Sequence, residues 1–268
     1  MTDWSGTLQP LGTGCSSHTW EFSRWNSLRT PDNLFGTLDE QDQLPLPHRD
    51  RSLDEVIQDF ARRLCPSGPD GEIDEWAIYD ESFRRLVAWA DETSRFFQGL
   101  QALKEGGREH DLTFDPATAS WLKFTKPAKA GYVVSFDFGS PALEPALPLE
   151  YLMRLSIQNE IFRDQVTFVG VGGQRNQPTI ITRQPDIPGE PAAPMEIIQM
   201  MTHELGFQLL PARFSIGYEN SLAFIRNEVA VFDLRPANVV KTPTGLIVPI
   251  DSIPVRLDER TRSMLLGD

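Results

Sequence analysis

The order of apolar and polar positions changes period several times along the chain. Ser52-Leu53-Asp54-Glu55 is a capping-box pattern. Val56, Ile57, Phe60 and Leu64 follow it at helical spacing, and the helix they predict stops at Cys65-Pro66-Ser67-Gly68-Pro69. A longer helix is predicted from about Asp80, on the stripe Phe83, Leu86, Val87, Ala90, Phe97, Leu100 and Leu103, ending at Gly106-Gly107. The period then shortens. Residues 111–114 and 120–124 read as two strands joined at Asp115-Pro116, and 132–138 alternates as a third. Pro148 opens a helix over 149–162. Strands are expected at 166–171 and 179–182, with Gly172-Gly173 in the turn between them. Pro185, Pro188, Pro191 and Pro194 mark a linker; a helix over 195–210 and short strands over 214–251 complete the order.

Composition narrows the class. The 268 residues suffice for one large domain or two small ones, and 40% hydrophobic with 24% charged residues is ordinary globular usage. A net charge of −13 argues against a general nucleic-acid binder. Cys15 and Cys65 provide neither a disulfide framework nor metal-site spacing, so a reducing cytoplasm is the expected setting. No apolar run reaches membrane-spanning length, and no basic-then-apolar leader pattern is present. Residues 1–50 are poorly periodic, yet Trp4, Trp20, Phe22 and Trp25 suggest an irregular arm that packs on the body or on a partner.

The densest chemistry lies near the C-terminus. Asp233-Leu234-Arg235-Pro236-Ala237-Asn238 precedes Asp251 by a segment that reads as a β-hairpin. Val239-Val240 form one arm, Leu246-Ile247-Val248-Pro249-Ile250 the other, and Lys241-Thr242-Pro243-Thr244-Gly245 the turn. Folding back places Asp251 beside Asn238. Two acids and an amide then converge, which suits Mg²⁺ with an acceptor base next to it.

This motif resembles the catalytic core of the protein-kinase-like superfamily, and over roughly 106–255 it is most similar to the compact kinase-like domain found in bacterial and phage polyvalent proteins. Arg108-Glu109-His110-Asp111, Leu122-Lys123-Phe124-Thr125-Lys126-Pro127 and Tyr151-Leu152-Met153-Arg154-Leu155 with Asn159-Glu160 share in the resemblance. It implies an ATP- and Mg²⁺-dependent phosphotransferase. Asp233 would orient or deprotonate the attacking hydroxyl, Arg235 would lie against the transferred phosphate, and Asn238 and Asp251 would hold Mg²⁺. Lys123, inside a hydrophobic strand, would meet the nucleotide phosphates, with Arg183 and Gln184 as further cofactor-binding candidates. Glu150 is favoured over Glu160 as the partner of Lys123, and Arg154 could pair with Glu150 at i+4.

The expected fold is α+β: a minimal two-lobe kinase-like fold with a helical extension over 51–105, a small lobe over 106–184 and a reduced large lobe over 185–268. The departures from the family are definite. No Gly-x-Gly-x-x-Gly precedes Lys123, so backbone donors around 106–112 are the candidates for the phosphates. Val231-Phe232 replace the usual His-Arg, and Ser252-Ile253-Pro254 follow Asp251 instead of Phe-Gly. The residues after Asp251 leave no room for a long activation segment. Phosphorylation-controlled activation and a peptide platform are therefore not expected. His48-Arg49-Asp50 is a decoy, since Glu55 stands where Asn is required. His203-Glu204-Leu205-Gly206-Phe207 lacks the second His of a zinc helix. The acceptor, a protein Ser, Thr or Tyr or a small-molecule hydroxyl, stays open. So do nucleotidyl transfer and a non-catalytic scaffold.

Overall fold

The computed structural model describes residues 49–64, 75–136 and 139–267. The N-terminal aromatics, the helix stop at 65–69 and two positions of the 132–138 strand lie outside them. In chain order the elements are α1 (Leu53–Leu64), α2 (Glu75–Glu92), β1 (Phe96–Gln98), β2 (His110–Asp115), β3 (Ser120–Thr125), β4 (Tyr132–Ser135), β5 (Ala142–Pro145) and α3 (Pro148–Phe162). They continue with β6 (Thr167–Gln174), β7 (Gln177–Pro185), β8 (Glu190–Pro191), α4 (Pro194–Gln199), β9 (Gln208–Leu209), β10 (Leu222–Arg226) and β11 (Val229–Leu234). Last come β12 (Val239–Lys241), β13 (Ile247–Pro249), β14 (Ile253–Arg256) and α5 (Glu259–Leu266). The fold is α+β, with several sheets and no barrel among the described residues.

A five-stranded sheet has the order β1-β6-β7-β3-β2, a four-stranded sheet the order β14-β11-β10-β9, and a three-stranded sheet the order β13-β12-β8. Helix α3 packs against α1 and α2 and against β4 and β14. Leu53, Val56 and Phe60 of α1 and Leu86 and Trp89 of α2 share one buried cluster with Tyr151, Leu152, Phe168 and Ile180. The helical extension is thus built into the core of the sheet. The opposite sheet face is closed by Leu122, Phe124, Val169 and Ile181, with Phe97, Leu100 and Ala102 packed on them.

Three sequence expectations change. Helix α2 stops at Glu92, and Phe97, Leu100 and Leu103 lie beyond it. The apolar stripe breaks at Asp91-Glu92-Thr93-Ser94. Ser94 takes a left-handed φ of 56°, and Thr93 Oγ1 donates back to the Trp89 carbonyl (2.8 Å). The chain then joins β6 as a parallel edge strand. Gly172-Gly173 lie within β6, not in the turn. Strand β1 comes so close that a Cβ on Gly170 would stand 2.3 Å from the Phe97 ring. The helix begun by Pro194 ends in a wider turn at Glu204, because Gly206, at φ +69°, releases the chain into β9.

Candidate functional site

The hairpin forms as the sequence pattern requires. Val239 pairs with Pro249 and Lys241 with Ile247. The turn closes through the Gly245 amide donating to the Thr242 carbonyl (2.9 Å). At the base the Asn238 carbonyl accepts from the Ile250 amide (2.9 Å) and the Asp251 amide (3.4 Å), bringing the ends of the motif together.

Asp233 stands in a β-bulge. Between Leu222↔Leu234 and Phe224↔Val231, strand β11 carries one residue more than β10. Asp233 takes up the excess at φ +57°, a conformation an L residue holds only when its surroundings enforce it. Those surroundings are specific. Ser221 Oγ donates to Oδ1 (2.7 Å), Arg235 Nε to Oδ1 (3.2 Å), and Asn238 Nδ2 to both Oδ2 (2.9 Å) and the Asp233 carbonyl (2.8 Å). Gly217 leaves room for the carboxylate, since a Cβ there would lie 2.7 Å from Oδ1. Burial raises the Asp233 carboxyl above the usual carboxylate range, although Arg235 and the Ser221 and Asn238 bonds oppose it.

Lys123, midway along β3, donates to the Ile250 carbonyl (3.1 Å), next to Asp251. Burial pushes the Asp251 carboxyl up, but Lys123, His110, Arg154 and Arg235 together hold it below the ordinary value. Asp251 also acts on Asp233 electrostatically. Asn238 thus links the two acids, its side chain bonding Asp233 and its carbonyl the Ile250 and Asp251 amides, and Lys123 bonds the residue before Asp251. Arg235 lies over the Tyr218 ring (4.3 Å), and Arg108 approaches the same ring (5.7 Å).

Two expected members stand elsewhere. Glu150 forms no ion pair with Lys123: its carboxylate accepts from the Leu147 amide (2.8 Å) across the first turn of α3. The helix start captures it, as first-turn acids do. Glu160 is exposed and pairs with Arg256 (2.5 Å). Arg183 pairs in register with Leu122, whereas Lys123 pairs with Thr182, so Arg183 lies on the opposite face of the sheet. It is held there by Asp50 (2.6 Å) and Asp115 (2.5 Å). Gln184 is on the Lys123 face, where Nε2 donates to Asp164 Oδ2 (3.1 Å). In the 106–112 segment the Gly106 amide is already bonded to Asp111 Oδ1 (2.9 Å), which also pairs with Lys126.

The structure also gives other contacts than those expected, and Arg154, set by the sequence against Glu150 at i+4, pairs with Glu109 instead. Arg154 donates to Glu109 Oε1 (2.5 Å) and to the Tyr132 carbonyl (2.7 Å). His110 Nε2 meets the Tyr151 hydroxyl (2.7 Å), and burial lowers the His110 pKa. Gln158 and Gln184 both donate to Asp164, whose carboxyl burial raises against the opposing effects of the Gln158 bond and Lys123. A usable signal exists in α3. Tyr151, Arg154 and Gln158 recur at i, i+3 and i+7 among apolar residues, a polar line on a buried helix face.

The donor set fits a hard cation. Asn238 directs its Nδ2 at Asp233, leaving Oδ1 as its acceptor, and Asp251 offers carboxylate oxygens; oxygen donors are what Mg²⁺ takes. Glu109, His110 and Asp251 also bring potential ligand atoms within 4.8 Å of one another, but the Arg154 guanidinium reaches into that group. No helix among the described residues is long and apolar enough to cross a membrane. Comparison with family models, curated proteins and solved structures found no match.

Proposed function

We propose that this chain is an ATP- and Mg²⁺-dependent phosphotransferase of reduced kinase-like type, acting on a hydroxyl of a protein side chain or a small molecule. The observation that supports it most is the meeting of Asp233, Asn238 and Asp251 around the hairpin base, facing Lys123. Mg²⁺-bound ATP supplies the transferable γ-phosphoryl group. Asn238 Oδ1 and the Asp251 carboxylate would hold the cation, and Lys123 would neutralise phosphate charge. Asp233 would accept the proton of the attacking hydroxyl. Its raised pKa makes it a stronger base than a solvated carboxylate, and the Ser221 and Asn238 bonds fix its aim. The test is transfer from γ-³²P-ATP to the chain itself and to mixed hydroxyl acceptors. Wild type should label in Mg²⁺ and Asp233→Ala should lose labelling while still binding a non-hydrolysable ATP analogue. Equal labelling by both would refute the base assignment.

A second reading, a nucleotide-binding scaffold without turnover, has its own support. Both Asp233 oxygens already accept hydrogen bonds, one of them charge-assisted from Arg235, and no Gly-x-Gly-x-x-Gly precedes Lys123 in the sequence. Mg²⁺-dependent binding that Asp251→Ala abolishes, without labelling by wild type, would favour the scaffold.

A further inference from the structure

We propose that Arg154 is a resident cation competing with the metal for Asp251, and that Glu109 sets how far it succeeds; this rests on the metal-binding reading of Asp251. The helix that was expected to bring a glutamate to Lys123 brings an arginine near Asp251. Its side chain is 1% exposed. Nη1 is held by Glu109 (2.5 Å) and the Tyr132 carbonyl (2.7 Å), and the guanidinium carbon lies 5.2 Å from the Tyr151 ring centroid. Nη2 is 3.9 Å from Asp251 Oδ1, beyond hydrogen-bond reach, and neither Nη2 nor Nε has a hydrogen-bond partner although both are buried.

Idle buried donors are costly, and a charge-assisted bond to Asp251 would satisfy one of them. A shift of about 1 Å would close it. Glu109 holds the head back. It is itself fixed from the other side, accepting from the Tyr132 amide (3.1 Å). Lys123, Arg235 and the buried His110 also face Asp251, so the carboxylate is shared among several cationic or donor groups. An Asp251 oxygen engaged by Arg154 is unavailable to a metal. The balance between the Glu109 and Asp251 contacts therefore tunes cation affinity, and it links the segment before β2 to the metal acid.

The experiment is Mn²⁺ titration of the full chain with a non-hydrolysable ATP analogue, read by electron paramagnetic resonance. Glu109→Gln frees Arg154 to pair with Asp251, and binding should weaken at least about tenfold, the scale of outer-shell changes at metal sites. Arg154→Met removes the competitor, and binding should tighten. With Arg154→Met in place, Glu109→Gln should change affinity by less than about threefold, since the cycle isolates their coupling. A packing role would weaken both single variants or neither, and either result overturns the proposal. A tenfold loss that persists in the double variant makes Glu109 a ligand and also overturns it. If Arg154→Met does not fold, the direction of Glu109→Gln decides: unchanged or tighter binding overturns the competition. Wild type that binds no Mn²⁺ overturns the metal reading itself, whereas wild-type binding without the opposed shifts overturns only Arg154 as competitor.

Discussion

Replacing Asn238 by Ala tests how the motif is held together, independently of any activity. The residue is 5% exposed and its Nδ2 makes two bonds, to the Asp233 carbonyl (2.8 Å) and to the Asp233 carboxylate (2.9 Å). A neutral buried bond is worth about 1 kcal/mol and one to a charged group about 2 kcal/mol. The loss should therefore be near 3 kcal/mol, read as a lower urea midpoint with an unchanged slope. Asp233 should feel it directly, because its left-handed backbone, at φ +57°, loses two of the bonds that hold it. Asn238→Asp should be worse at neutral pH than near pH 5, since it sets a second carboxylate against the first. A loss under about 1 kcal/mol for Asn238→Ala, at unchanged slope, would refute the claim that this amide organises Asp233.

Gly217→Ala places a Cβ 2.7 Å from Asp233 Oδ1 at a φ of +96°, so thermal denaturation should show a loss of about 1–3 kcal/mol; an unchanged melting temperature would contradict the packing. Trp89 is fully buried, with ring centroids 5.7 Å from Phe60 and 5.5 Å from Phe168, and Trp89→Ala should cost about 3–5 kcal/mol in one cooperative transition. An early separate step that spares the sheet would show that the helices are not part of the core. Asp164 is raised by burial; a raised carboxyl adds stability below its unfolded value of about 4 and loses that contribution as pH rises through its folded pKa. Asp164→Asn should therefore flatten the decline in stability from acid toward neutral pH, and a parallel pair of pH–stability curves would count against it.

How much could be read in advance follows from the range of the interactions. The hairpin was legible because its register depends on neighbouring residues and a Pro/Gly turn, and Asn238 and Asp251 meet through it. Helix α3 was legible from Pro148 at its start. The fate of Glu150 turned on a competition that spacing does not resolve. At the third helical position the free amide of Leu147 lies close by, and that local bond took precedence over a distant lysine. Arg183 was misplaced because facing depends on strand register, where one residue decides the side. The Glu109–Arg154 pair joins positions far apart in the chain, so no local pattern announced it. The end of α2 was missed because Phe97 and Leu100 continue an apolar stripe while in fact covering the outer face of the sheet.

The most direct test of the central claim is calorimetric titration of a non-hydrolysable ATP analogue in Mg²⁺ against wild type and Asp251→Asn. Asp251 is the acid that joins Lys123, Arg154 and the hairpin base, and the surrounding cations hold its carboxyl below the ordinary value. Wild type should bind saturably and only with Mg²⁺ present, and Asp251→Asn should bind at least about tenfold more weakly, losing a charged ligand. Equal affinity in the two proteins, or binding indifferent to Mg²⁺, would contradict the account.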